Sequence, residues 1–169
     1  MKIKIIFSIA LLSITISGYA QQTINWDKYS WLIGSWKGEG SGQPGKSGGT
    51  FSFSSGLDKK ILMRYGHSEI ITGDDRPPII HDDLMIIYPD LSGNPVRAIY
   101  FDNEGHVINY SIACKDSSIV FLSEKTPNVP VFRLTYILLD NETIDTKFEL
   151  SKDGETFILY VQGKSKKDK

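Results

Sequence analysis

Apolar and polar residues alternate along most of the chain after residue 34, in about ten runs separated by short turns. The run at 143–150 is the clearest, because its apolar face consists of Ile144, Thr146, Phe148 and Leu150. A period of two is typical of strands that bury one face of an antiparallel sheet. The predicted strands cover 35–41, 50–55, 59–70, 79–88, 95–102, 106–114, 118–124, 131–139, 143–150 and 156–162.

One short segment has a helical period instead. Trp26, Tyr29, Leu32 and Ile33 recur at spacings of three and four, which predicts a helix over 26–33. A flat sheet of ten strands leaves two exposed edges, and closure into a barrel removes them. The pattern therefore predicts an all-β fold, a closed antiparallel up-and-down β-barrel of about ten strands with a short N-terminal helix. A two-sheet β-sandwich stays open as the alternative.

The first twenty residues have the pattern of a cleaved export signal. Lys2 and Lys4 precede an apolar stretch, and small residues at Gly18 and Ala20 fit a cleavage site. The apolar stretch is too short to span a bilayer. We therefore expect a signal peptide at 1–20, one domain at 21–169, a periplasmic or secreted location, and no stable membrane insertion after cleavage.

Composition narrows the function classes. The formal net charge is −1, and removal of Lys2 and Lys4 makes it more negative, which argues against a nucleic-acid partner. The single cysteine, Cys114, excludes an internal disulfide, so hydrophobic burial must hold the fold. The lysines at the C-terminus predict a solvated tail; they are Lys164, Lys166, Lys167 and Lys169. The oligomeric state is not readable from the sequence.

A glycine-rich motif follows the predicted helix, Gly34-x-Trp36-x-Gly38-x-Gly40. It resembles the first strand of the calycin group, which contains lipocalins and fatty-acid-binding proteins, and its extended form resembles nitrobindin-like haem-binding barrels. The turns around 86–94 and 99–105 are similar to those of uncharacterised bacterial lipocalin-like proteins. The resemblance implies a closed barrel whose floor is formed by an inward Trp36.

The resemblance to nitrobindin-like proteins does not extend to haem binding. Nitrobindin-like proteins hold the iron through a histidine near the end of the chain, whereas the three histidines here are His67, His81 and His106. His81 and Asp83 share one strand face, but two ligands are too few for a zinc site. We expect no cofactor and no metal.

The candidate ligand contacts come from the predicted strands. Met63, Tyr65 and His67 share one face of 59–70, which we assign to the lumen. Arg133 and Tyr160 are candidates by analogy with the late-strand Arg and Tyr of fatty-acid-binding proteins. The full set is Trp36, Met63, Tyr65, His67, Tyr100, Arg133 and Tyr160.

These features predict non-catalytic binding of a small, largely apolar molecule in the barrel lumen. Two alternatives stay open. One is an enzyme that uses His67 as an acid and base. The other is a structural or interaction protein whose barrel is filled with side chains.

Overall fold

The computed structural model describes residues 24–40, 49–70 and 77–168. A short 3-10 helix, Asp27–Leu32, precedes ten strands. The strands are β1 (Gly34–Gly38), β2 (Thr50–Gly56), β3 (Ile61–Ile70), β4 (Ile79–Tyr88), β5 (Arg97–Asp102), β6 (Val107–Lys115), β7 (Ser118–Ser123), β8 (Val131–Asp140), β9 (Thr143–Ser151) and β10 (Ile158–Asp168). The predicted export signal at 1–20 lies outside these described residues.

Each strand pairs antiparallel with its neighbour in the chain, and β1 pairs with β10 to close the ring. The sheet is therefore a closed barrel, and the predicted fold class is confirmed over the sandwich alternative. Within the three described ranges, no helix is long and apolar enough to cross a bilayer.

The helix covers one end of the barrel. Tyr29 donates a hydrogen bond from its hydroxyl to the Pro95 carbonyl, and Trp26 donates from Nε1 to the Lys59 carbonyl at 2.9 Å. Trp36 is fully buried beneath the helix and donates from Nε1 to the Leu32 carbonyl at 2.8 Å. Because its indole N–H is satisfied, this large side chain fills the barrel without an unpaired polar atom.

The barrel interior has two parts. We call the part next to the helix the closed half, which large apolar side chains fill; its main members are Leu32, Trp36, Phe53, Leu62, Met85, Ile87, Ile119, Phe121 and Ile144. We call the opposite part, which contains a cavity, the mouth half. Along β4, for example, the inward positions run from Ile87 and Met85 in the closed half to Asp83 and His81 in the mouth half.

The last strand corrects one sequence prediction. Lys164, Lys166 and Lys167 do not belong to a solvated tail, because β10 continues to Asp168 and pairs with β1. Lys166 forms an ion pair with Glu39 at 2.8 Å, and the Lys167 ammonium lies 5.3 Å from the Trp36 ring centre. Lys164 and Lys166 alternate with Ser165, which is buried inside, so these two lysines lie on the outer face of the closing strand, whereas Lys167 is on the Ser165 face beside Trp36. Lys169 lies outside the described residues.

Candidate functional site

The mouth half encloses a cavity of about 630 Å³ that is partly open to solvent. This volume lies within the range of small-molecule sites in proteins. The cavity has two different walls. Strands β8 to β10 form the apolar wall, and strands β3 to β6 form the polar wall.

The apolar wall consists mainly of Phe132, Leu134, Phe148 and Val161. Phe132 and Phe148 stack with ring centres 5.8 Å apart and an interplanar angle of 14°. Tyr160 packs edge-on against Phe148 at 6.2 Å. This wall offers a flat hydrophobic surface of the kind that packs against an apolar ligand.

The polar wall is centred on an ion pair between Arg64 and Asp83, whose side chains are 13 % and 8 % exposed. The Arg64 guanidinium also lies over the Phe51 ring, 5.1 Å from its centre. Burial by itself lowers the pKa of Arg64, but the nearby Tyr136 and Asp83 raise it overall. Arg64 therefore stays charged beside Asp83, which balances most of its charge.

Gly66 makes room for this ion pair. It lies directly opposite Asp83 across β3 and β4, and it also lines the cavity. A Cβ at Gly66 would come 2.3 Å from Asp83 Oδ2 and 2.8 Å from Arg64 Nη1. The absence of a side chain at Gly66 thus allows the Asp83 carboxylate to lie over the strand.

A hydrogen-bonded cluster lies between the ion pair and the rim. His81 Nε2 lies 3.1 Å from the Tyr100 hydroxyl, and His81 Nδ1 lies 3.0 Å from Glu104 Oε1. Asp102 Oδ2 contacts His106 Nδ1 at 2.8 Å, while its Oδ1 accepts from the backbone N–H of Glu104 and His106. Burial opposes a low pKa for Asp102, but these hydrogen bonds, with His106 foremost, lower it overall, so Asp102 stays ionised.

Three tyrosines surround the same wall. Burial raises the pKa of Tyr100, Tyr110 and Tyr136 above the ordinary value, so all three keep their protons near neutrality. Tyr110 is only 2 % exposed and lines the cavity, and no described group hydrogen-bonds to its hydroxyl. Its hydroxyl is therefore available to a bound molecule.

Three of the seven predicted contact residues, Tyr100, Trp36 and Tyr160, lie in different parts of the barrel. Tyr100 lies on the cavity wall. Trp36 is buried beneath Phe51 in the closed half, with the two rings stacked at 6.4 Å, and is not among the cavity-lining residues. Tyr160 is 64 % exposed and lies at the rim. Trp36 thus closes the barrel, as its motif predicted, and Tyr160 borders its entrance.

The predicted lumen face of β3 is wrong by one residue. Leu62, Arg64 and Gly66 point inward, so Met63, Tyr65 and His67 lie on the outer face. Tyr65 is 51 % exposed. The ring of His67 is exposed and contacts Asp82 at 2.7 Å, and His67 also borders the cavity at its rim, as predicted. The sequence favoured the face with more apolar groups, whereas the ion pair with Asp83 makes burial of Arg64 possible.

Arg133 is also misplaced by the sequence prediction. Its guanidinium makes two 2.7 Å hydrogen bonds to Glu149 and lies 3.9 Å from the Phe157 ring centre. The inward neighbours on β8 are Phe132 and Leu134, so Arg133 lies on the outer surface. It does not contact the cavity because successive side chains on a strand point to opposite faces.

Sequence reasoning did not select several residues of the polar wall, namely Arg64, His81, Asp83, Asp102 and Tyr110. One signal was available, since the alternation of His81 and Asp83 around Asp82 places the first two on one face. That shared face is confirmed, and it points into the cavity. Among residues 24–40, 49–70 and 77–168, no three His, Cys, Asp or Glu side chains are grouped to hold a metal ion.

Comparisons with known proteins support the fold and not a specific family. No protein-family model matches the chain. The chain is similar to the solved structure of Rv2717c from M. tuberculosis, with a TM-score of 0.56, 11 % identity, and coverage of 87 % of this chain and 100 % of that one. At this identity the likeness concerns the fold alone, and the barrel fits a calycin-like fold.

A curated relative matches part of the chain. Kinesin-like protein KIN-UB of Oryza sativa subsp. japonica is 33 % identical over 93 residues, which is 50 % of this chain. The match spans 10 % of the length of that protein. Because the match covers so little of that protein, it does not place this chain in the kinesin family.

Proposed function

We propose that this chain is an exported, lipocalin-like protein that binds a small, largely apolar molecule non-catalytically in the mouth half of its barrel. The observation that carries the proposal is the cavity of about 630 Å³ with a stacked aromatic wall facing a few fixed polar groups. An apolar cavity with a small number of placed polar groups is the usual form of a ligand site.

The division of the barrel supports binding over a purely structural role. The closed half is filled by Trp36, Phe53 and Phe121, which are at most 1 % exposed. The mouth half lacks such filling, so apolar side chains such as Leu134 and Phe148 border open space. A ligand that covers this apolar surface removes it from water, which favours binding.

Export rests on the N-terminal pattern of Lys2, Lys4, the apolar stretch and Ala20. N-terminal sequencing of the protein recovered from its native host tests it. A mature chain that begins at Gln21 supports export, and a retained residue 1–20 segment contradicts it.

Titration with N-phenyl-1-naphthylamine, an uncharged apolar fluorophore, tests the binding proposal. We expect saturable binding to one site per chain. Leu134→Trp fills the cavity and should weaken binding by at least about tenfold, since it replaces ligand volume with an indole. Leu139→Trp is the matched control, because Leu139 lies on the same strand but is 48 % exposed outside. Absence of saturable binding, or equal effects of the two variants, would contradict the proposal.

A further inference from the structure

The polar wall contains a carboxylate oxygen, Asp83 Oδ2, that no donor among the described residues contacts. Arg64 contacts Oδ1 of Asp83, whereas no described group hydrogen-bonds to Oδ2. His81 Nε2 lies 4.0 Å from Oδ2, beyond hydrogen-bond range. The Asp83 side chain is only 8 % exposed, and it borders the cavity. A carboxylate oxygen that borders a cavity without a protein donor can accept a hydrogen bond from a bound molecule.

The position of this oxygen makes it accessible to a molecule in the cavity. Asp83 Oδ2 lies over Gly66, and both residues line the cavity. The Tyr110 hydroxyl is also unpartnered and borders the same space. Together they offer two acceptor oxygens to one ligand group.

The charge of the cavity selects the kind of donor. Four carboxylates and one guanidinium, Arg64, are among the described cavity-lining residues; the carboxylates are Glu69, Asp83, Asp102 and Glu104. Three histidines also line the cavity, and the ring of each contacts a carboxylate. Asp83 and Asp102 are the most buried of the four, at 8 % and 4 % side-chain exposure. A negatively charged head group meets repulsion here, and a positively charged one is attracted.

Aromatic rings add to the preference for a cation. Phe51, Tyr100 and Tyr110 border the polar wall. Aromatic faces attract ammonium groups, and the attraction is larger when water is excluded. Carboxylate and aromatic groups together form the usual environment of a bound amine.

We propose that the ligand of this cavity is an apolar molecule with one protonated amine, which donates hydrogen bonds to Asp83 Oδ2 and the Tyr110 hydroxyl. Its apolar body packs against the wall formed by Phe132, Leu134 and Phe148. This inference rests on the proposed function, since it names the chemical class that the same cavity binds. An uncharged alcohol supplies a donor without the charge and binds more weakly, and a carboxylate binds most weakly.

Competition against N-phenyl-1-naphthylamine tests the order with three probes of one chain length, namely decylammonium, decanol and decanoate. At neutral pH we expect decylammonium to bind about tenfold more tightly than decanol, because a hydrogen bond to a charged group is stronger than one between neutral groups. We expect decanoate to bind more weakly than decanol. If the three probes bind equally, or decanoate binds best, the amine inference is wrong while the proposed function stands. If neither the fluorophore nor any probe binds saturably, the proposed function itself fails.

Asp83→Asn tests the named residue. It keeps the shape of the side chain and removes the charge, so the preference for decylammonium over decanol should fall to about twofold or less. Asp116→Asn is the control, because Asp116 is exposed in the turn between β6 and β7 and does not line the cavity. Circular dichroism shows whether the Asp83 variant folds. If it does not, Tyr110→Phe replaces it, with an expected loss of about threefold for decylammonium. A retained preference in the folded variant contradicts the inference.

Discussion

The closed half and the mouth half of this barrel share the same ten strands but differ in what their inward positions carry. In the closed half, Trp36, Phe53 and Phe121 interdigitate with aromatic ring centres 5.6 to 6.4 Å from their neighbours. In the mouth half, the same strands continue with Arg64, Asp83 and Tyr100 around open space. The comparison indicates that packing in one half keeps the barrel closed, so that the other half is free to hold a cavity.

Truncation of the floor tests this division with the largest expected effect. Trp36→Ala removes a fully buried side chain and should lower the free energy of unfolding by about 3–5 kcal/mol. Leu134→Ala, in the mouth half, should cost clearly less, because Leu134 already borders a cavity. Urea unfolding of both variants measures the difference. Equal losses would show that the two halves contribute equally to stability.

The two arginines provide the next test. Replacement of Arg64 by Leu leaves Asp83 buried without its partner and should cost about 3 kcal/mol. Arg133→Leu removes an ion pair on the outer surface and should cost no more than about 1 kcal/mol. Thermal unfolding measures both. A larger loss for Arg133 would mean that the inner ion pair does not hold the polar wall.

Addition of one methyl group tests how closely the polar wall is packed. Gly66→Ala places a Cβ 2.3 Å from Asp83 Oδ2, so the carboxylate must move, at a cost of about 1–3 kcal/mol. The same change in an Asp83→Ala background should cost less, because the clashing oxygen is absent. Additive effects in this double-mutant cycle would contradict the proposed contact.

The sequence predicted the barrel better than it predicted the site. Period-two alternation gave the antiparallel strands, and the segment 79–88 matches β4 in full. Alternation does not tell which face of a strand points inward when both faces contain apolar groups, as on β3, where Met63 and Tyr65 face outward. The burial of Arg64 depends on Asp83, which lies 19 residues away and becomes its neighbour only through β3–β4 pairing.

The lack of information on long-range contacts also explains why the solvated tail predicted at the C-terminus is wrong. A run of lysines resembles a solvated tail when seen alone. The alternation of Lys164 and Lys166 with buried Ser165 can be interpreted only once β10 pairs with β1, near the other end of the chain. Contacts that close a barrel are distant in sequence, so composition near one terminus does not reveal them.

The smallest expected effect is a change in the pKa of His67 at the rim. The hydrogen bond to Asp82 is the main cause of the raised pKa of His67, so Asp82→Asn should lower that pKa toward the ordinary value of about 6.5. Because the folded state favours the protonated ring, the pair stabilises the protein below the ordinary histidine pKa. That contribution is lost as the pH rises through the pKa of folded His67. Titration of the ring protons by NMR measures the shift, and an unchanged pKa in Asp82→Asn would contradict the contact.

The central claim is that the mouth half holds an apolar ligand, and anomalous diffraction from crystals soaked with 10-bromodecanol tests it most directly. We predict one bromine peak inside the barrel beside Phe132, Leu134 or Phe148. Bromine found only on the outer surface, or no ordered bromine at saturating concentration, would contradict the account.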